Sequence, residues 1–462
     1  MVYRGPDSSV NKGHECFIIN AFNCLIIACE IDSFAAQAVH AAQMKRALPA
    51  NLLVLVAIAG QAIAFGLSIF IARQLSIAGF EAYVVAAALF ILLAALAPLG
   101  LEKLTLRLWP VLMRKHDWPL AHGLLWFGVR RTLVTALLAG GSVAMVASLR
   151  SSNEVRLAVL VTCLSLPAGA LAHYGVDLLT AAGRPFRALA IFRIMVPATT
   201  LTVFATALAL DVAPQGWLAV AAWGVAWLAA LGLMVVSLRP RLDPRLGTAA
   251  PLTDPAWDRD ARPFLVHRVA QALLAQSGIL ALELSGAEGA AIGAFAAALA
   301  TTGMATVLAS ATNRAYGRDL ALLIEAGDSV GIAVLRRRRL GWLLPPLAGF
   351  LIFALGYPET LLSLFRHEFA VPGAAPLQIL AIASAISVLL ALAPTQLKFQ
   401  RRNRIIYSGL ALAVLAQFIL LATLLPTYGA AGAAIAYAVA TVGSYVVFAG
   451  LARSETSNLR RL

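Results

Sequence analysis

Residues 70–107 read FIARQLSIAGFEAYVVAAALFILLAALAPLGLEKLTLR. Between Glu81 and Glu102 lie twenty consecutive uncharged residues, Ala82 to Leu101. Wound as a helix they span about 30 Å, the thickness of a bilayer's hydrocarbon core. The rest of the 462-residue chain repeats this design, being 61% hydrophobic and only 13% charged, with a mean hydropathy of +0.83. Soluble domains run roughly 45–50% apolar and about 25% charged. A water-soluble globule is excluded, and an all-α polytopic membrane protein is expected. The 34 Gly and 21 Pro are ordinary for membrane helices.

Outward from that hairpin, twelve spans fall at about 50–72, 82–101, 132–149, 157–180, 188–210, 216–237, 264–284, 289–312, 340–357, 374–396, 405–425 and 430–452. The basic residues test this map. Of the 36 Lys and Arg, 32 fall at the ends of the chain and on even-numbered turns; only Arg73, Arg150, Arg156 and Arg366 fall on the other side. One missed span would invert every later loop, so the asymmetry supports both the count and cytoplasmic termini. It also accounts for the net charge of +14 without a nucleic-acid partner. The outer loops are too short to fold as a catalytic domain. The long connector 239–262, RPRLDPRLGTAAPLTDPAWDRDAR, reads as a solvated cytoplasmic linker between six spans and six. The chain thus divides into a lobe over 44–238, the linker, a lobe over 263–453 and a tail over 454–462.

Residues 1–43 stand apart. They hold three of the four Cys and an apolar run, Cys16 to Cys29, too short to cross a bilayer and closed by Glu30 and Asp32. Met44-Lys45-Arg46 then leads straight into the first span, so the functional protein is expected to begin near Met44. A secretory signal peptide is the competing reading, but a basic flank and a small-residue cleavage site are missing. The four Cys have no metal or disulfide spacing, and no metal or cofactor is expected.

The two halves echo each other. Gln74-Leu75-Ser76-Ile77-Ala78-Gly79-Phe80-Glu81 precedes an alanine-rich helix, as does Glu283-Leu284-Ser285-Gly286-Ala287-Glu288-Gly289. The basic turn at Gly183-Arg184-Pro185-Phe186-Arg187 matches Gln400-Arg401-Arg402-Asn403-Arg404 before the eleventh span. Two related six-helix lobes follow, with an axis along the membrane normal as in several transporter folds.

The hairpin 70–107 resembles the opening of the polysaccharide biosynthesis/O-antigen flippase family, within the multidrug/oligosaccharidyl-lipid/polysaccharide exporter superfamily. AAIGAFAAALATT, HEFAVPGAAPLQILAIASAISVL and LPTYGAAGAAIAYAVATVGS resemble its second-lobe hairpins, so the likeness covers roughly 44–453. One departure is Thr312-Asn313-Arg314, where many members carry a proline. The resemblance implies two lobes that enclose a central cavity and work by alternating access. A polyprenyl-diphosphate-linked oligosaccharide would cross the bacterial inner membrane, alongside membrane lipids and the glycosyltransferases and polymerase of the same pathway. A diphosphate and its sugars cannot cross hydrocarbon unassisted, because uncompensated polar groups cost several kcal/mol each there.

Ionisable residues within spans are costly and mark candidate sites. Asp177 and Arg193 sit roughly 10 and 13 Å from the turn at Arg184 and can pair across it, either to lock two helices or to line a cavity. His173 is four residues from Asp177 on the same face. In the seventh span Arg268, Gln271 and Gln276 form a polar stripe; Arg268 can grip phosphate with its planar fork or snorkel to the interface. Gln61 is the deepest polar residue of the first span, as cavity lining or interhelical glue. Arg73 and Arg107 match basic positions of the family's first hairpin, with surface anchoring the competing role for Arg73. The run Arg336 to Arg339 reads as a topology signal beside lipid headgroups, and Trp109, Trp118 and Trp126 as an aromatic belt.

Two other readings remain. A membrane ligase or acyltransferase would need a catalytic set, and His367 beside Arg366 and Glu368 is the only outer-loop histidine; the chain is read as a non-enzyme. A cation-coupled drug antiporter normally uses buried carboxylates, which the first span lacks. A lipid II flippase would work by the same mechanism as the oligosaccharide carrier.

Overall fold

A computed structural model describes residues 52–148, 153–242 and 244–459, so the expectation for 1–43 lies outside the described residues. Helices account for the described secondary structure, with no strand among those residues. The first lobe contains α1 (Leu52–Gln74), α2 (Ile77–Leu96), α3 (Leu101–Lys115), α4 (Trp118–Ser148), α5 (Asn153–Ala181), α6 (Pro185–Ala209) and α7 (Gly216–Leu238). The second contains α8 (Ala256–Leu284), α9 (Gly289–Glu325), α10 (Ser329–Gly356), α11 (His367–Phe399) and α12 (Asn403–Leu459).

Eleven of these helices are long and apolar enough to cross a bilayer, among the described residues. Twelve crossings were expected, and the difference lies in α12. Gly429 breaks that helix at φ 52°, ψ −128°, a conformation open essentially to glycine alone, so α12 has two arms matching the expected spans 405–425 and 430–452. The wide lipid-facing surface is apolar, with Leu138 68%, Met145 69% and Leu164 83% exposed. In water such a belt would aggregate; in hydrocarbon it costs nothing.

Lipid tails are as apolar as leucine, so the helices are held by close packing and polar contacts. Phe90 of α2 sits where a Cβ on Gly169 of α5 would lie 2.1 Å from its ring, and Tyr174 of α5 fits over Gly128 of α4. Ends are capped where sequence permits: Ser76 accepts from the Gly79 N–H at 3.0 Å, and Asp328 from the Gly331 N–H at 2.7 Å.

Two sequence expectations change. Helices α4 and α8 begin at Trp118 and Ala256, well before the apolar spans expected from 132 and 264. Hydropathy marks only the part inside hydrocarbon, and charges do not end a helix. The segment 239–262, expected to be a solvated linker, is exposed over much of its length and is also pinned to α4. Its Leu252 N–H donates to the Pro119 carbonyl at 3.1 Å, and His122 Nδ1 meets the Ala249 carbonyl at 2.7 Å. Leu246 and Trp257, buried at 3% and 4% exposure, anchor it.

Candidate functional site

Three of the expected site residues, His173, Asp177 and Arg268, meet beside α3, a helix too short and too polar to cross the membrane. It starts at Gly100, whose φ of +79° turns the chain sharply after α2. Leu101, Leu104 and Trp109 face inward onto Tyr174, Leu178 and Trp257. Trp109, read as a belt residue, is therefore a core residue at 2% exposure, while Trp126 is 57% exposed. The same inward face carries Glu102 into the protein.

Glu102 is fully buried, and neither carboxylate oxygen has a hydrogen-bond partner among the described residues. Its counterion comes from the other lobe: Arg268 Nε of α8 lies 3.5 Å from Glu102 Oε1. A second Arg268 nitrogen lies 2.9 Å from His173 Nδ1 of α5. Arginine stays protonated and has only donors, so the His173 ring is neutral and accepts at Nδ1. Phe192 and Trp227 hold that ring, with centroids at 5.0 and 5.2 Å. Burial raises the Glu102 pKa more than Arg268 lowers it.

Asp177 lies one turn beyond His173 and takes Lys103 of α3, whose Nζ donates to both oxygens at 2.9 and 2.7 Å. Arg193, expected opposite Asp177, is exposed on a π-helical stretch, Ile191–Met195, with its guanidinium 5.7 Å from the Phe192 ring. Its backbone packs against Gly60 of α1. Lys103, Arg193 and Arg268 all act electrostatically on His173, and Lys103 on Lys398 of α11. Four cations thus share this region with two carboxylates.

The stripe read along α8 divides. Arg268 reaches to the first lobe, whereas Gln271 joins His267 and Lys398 on a cavity of about 190 Å³ inside the second lobe, with Tyr437, Thr441 and Ser444 on its far wall. Gln276 is half-buried. Gln61 is half-buried on α1, its amide nitrogen 3.3 Å from where a Cβ on Gly303 of α9 would sit. Arg107 is exposed on α3.

The lobes also meet at the opposite end. Arg73 Nε donates to the Leu364 carbonyl at 2.7 Å, and Arg366 donates to the Leu75 carbonyl. Each guanidinium therefore binds backbone of the other lobe. Phe80 packs on Phe369 and Phe65 on Phe365, with centroids at 5.4 and 5.5 Å. His367 is exposed beside the Arg366–Glu368 pair. The molecule is thus held together at both ends of the lobe seam.

Sequence reasoning missed Glu102. Beside Lys103 on a short amphipathic stretch, it resembled any loop acid; its signal was the Gly100 turn that redirects the helix inward.

No family model and no curated protein sequence matches the chain. Several solved structures share its fold. An outward-facing multidrug resistance MATE family transporter of the MOP superfamily is 13% identical, covering 89% of this chain and 96% of its own, with a TM-score of 0.62. The lipid II flippase MurJ in an inward closed conformation is 9% identical over 86% of both chains, with a TM-score of 0.64. A MOP superfamily transporter from Pyrococcus furiosus is 13% identical, covering 88% of this chain and 96% of its own, with a TM-score of 0.57. The chain is similar to these in fold: an all-helical, multi-pass, two-lobed architecture.

Proposed function

We propose that this chain is an alternating-access membrane transporter that moves a polyprenyl-diphosphate-linked oligosaccharide across the bacterial inner membrane. The observation that carries the reading is Arg268, which leaves its own lobe to bridge Glu102 and His173 of the other. A diphosphate entering the seam offers that guanidinium a better partner than a loose 3.5 Å ion pair, since arginine can donate two parallel hydrogen bonds to phosphate. Binding would then draw Arg268 off its first-lobe partners and free the basic end to open. Lys103, Arg193 and Lys398 add the positive field that an anionic headgroup needs. The polar second-lobe cavity with Gln271, Tyr437, Thr441 and Ser444 offers hydrogen bonds suited to sugar hydroxyls. The fold likeness to a protein described as a lipid II flippase supports the substrate class. The basic end is read as cytoplasmic.

The test is reconstitution into liposomes with a labelled lipid-linked oligosaccharide, scoring how much becomes accessible on the far side. Arg268→Gln should insert normally and lose translocation. Normal translocation by that variant would remove Arg268 from the path.

One observation favours a second reading, a cation-coupled small-molecule antiporter. Buried Glu102, which has an ion pair but no hydrogen bond among the described residues, is the kind of carboxylate such coupling requires, and several fold neighbours are described as multidrug resistance transporters. Proton-driven dye efflux from the same liposomes, with no effect of the oligosaccharide lipid, would select it.

A further inference from the structure

The run Arg336 to Arg339 does more than fix topology. On α10 its members divide by helical face: Arg337 and Arg338 are exposed, whereas Arg336 is half-buried and Arg339 is 2% exposed. Arg339 points at the place where α11 breaks between Leu390 and Leu392. That break frees backbone carbonyls inside the membrane, where each needs a donor. Arg339 supplies two, to Val388 and Leu389 at 3.0 Å each, and its Nε donates to Thr312 at 3.2 Å. Asn313 completes the cap through the Ala391 carbonyl at 3.0 Å. One turn earlier Arg336 donates to Gln396, whose own amide donates to the Ala452 carbonyl at 3.0 Å, next to Arg453 of α12.

These contacts surround a cavity of about 110 Å³ that none of them fills. Arg336, Arg339 and Arg453 enter it, and the rest of its wall is leucine and alanine, including Leu340, Leu392 and Ala449; among the described residues no carboxylate lines it. Three guanidinium groups with no acid among the described lining residues repel one another, and building such a place in an apolar wall is costly unless an anion occupies it. Arg339 spends three of its five N–H groups on the helix break, leaving two for a ligand.

We propose that this cavity is a binding site for a phosphate-bearing headgroup, occupied by an anionic phospholipid. The planar guanidinium forks suit phosphate oxygens, and the leucine wall suits the start of an acyl chain. A free soluble phosphate would have no use for that wall. The site lies wholly within the second lobe and is separate from the Arg268 seam.

The experiment uses the full chain in nanodiscs of phosphatidylcholine carrying increasing phosphatidylglycerol, with retained lipid counted by native mass spectrometry. Arg336→Gln with Arg453→Gln should weaken phosphatidylglycerol retention roughly tenfold, as expected for losing charged hydrogen bonds. Arg337→Gln with Arg338→Gln removes the same charge from the exposed face and should change retention less than about twofold. Ala449→Leu fills the cavity without touching charge and should also abolish retention, which keeps the test valid if the arginine pair misfolds. Equal losses in the two arginine pairs, or full retention in Ala449→Leu, would overturn the site. Inorganic pyrophosphate that binds saturably to the wild type while phosphatidylglycerol is not retained would overturn the lipid assignment.

Discussion

Gly100 controls how closely the lobes approach at the basic end, and replacing it with alanine should hold them apart. A Cβ there would lie 2.4 Å from the Ala261 carbonyl oxygen and 2.6 Å from the Leu265 nitrogen, both backbone atoms of α8 that cannot swing away. Two effects must be separated. A left-handed φ costs a non-glycine residue about 1–2 kcal/mol, but that strain persists in every conformation that keeps the turn. The contact with α8 exists only while the seam is closed, and overpacking of this kind costs about 1–3 kcal/mol. Gly100→Ala should therefore shift the closed-to-open ratio by roughly 5- to 150-fold. Gly183→Ala is the control: its φ is +81°, yet nothing lies within 4 Å of its Cβ position. Spin labels at Arg114→Cys on α3 and Arg404→Cys on α12, both exposed, report the separation by pulsed electron resonance. Gly100→Ala should gain a longer-distance population that Gly183→Ala lacks. Identical distance distributions in the two variants would refute the idea that this contact limits closure.

Other predictions concern charge and the helix breaks. Because burial raises the Glu102 pKa, the closed seam holds more protons than an open one. Its stability should be full below the ordinary carboxylate pKa and fall as pH rises through the raised value. Glu102→Gln should remove that dependence, measured with the same spin labels as the pH is raised from the ordinary carboxylate range. Arg339→Leu strands the Leu389 carbonyl and leaves that of Val388 only the 3.4 Å bond from the Ala391 N–H, which should cost about 1–3 kcal/mol, seen as a lower thermal unfolding midpoint in detergent. Gly429→Ala should cost about 1–3 kcal/mol by the same assay, since its φ and ψ lie outside the range of an alanine.

Which features were legible in the sequence follows from what hydropathy measures. The spans were readable because apolar length is a direct consequence of bilayer thickness, and the twelfth emerged because basic residues at both ends of the apolar stretch 405–452 put those ends on one side, which requires two crossings. His173, Asp177 and Arg268 stood out as ionisable residues in greasy surroundings, and the structure brings all three to one region. Their pairing was not legible. Asp177 takes Lys103 because α3 folds back beneath α5, a tertiary fact that no local spacing encodes. Glu102 was hidden for the same reason, since only the left-handed turn at Gly100 makes that face of α3 an inner one. The arginine run on α10 was half readable: its charge suggested the membrane surface, but the break in α11 that gives Arg339 its partners comes from a distant segment.

In the proposed mechanism the seam around Arg268 handles an anionic lipid-linked sugar. The direct measurement is translocation of a labelled polyprenyl-diphosphate oligosaccharide in liposomes by wild type, Arg268→Gln and Arg268→Lys. That mechanism requires transport by the wild type, near-complete loss in Arg268→Gln, and partial recovery in Arg268→Lys, which keeps the charge but not the fork. Wild-type liposomes that export a cationic dye and leave the oligosaccharide lipid where it was loaded would contradict it.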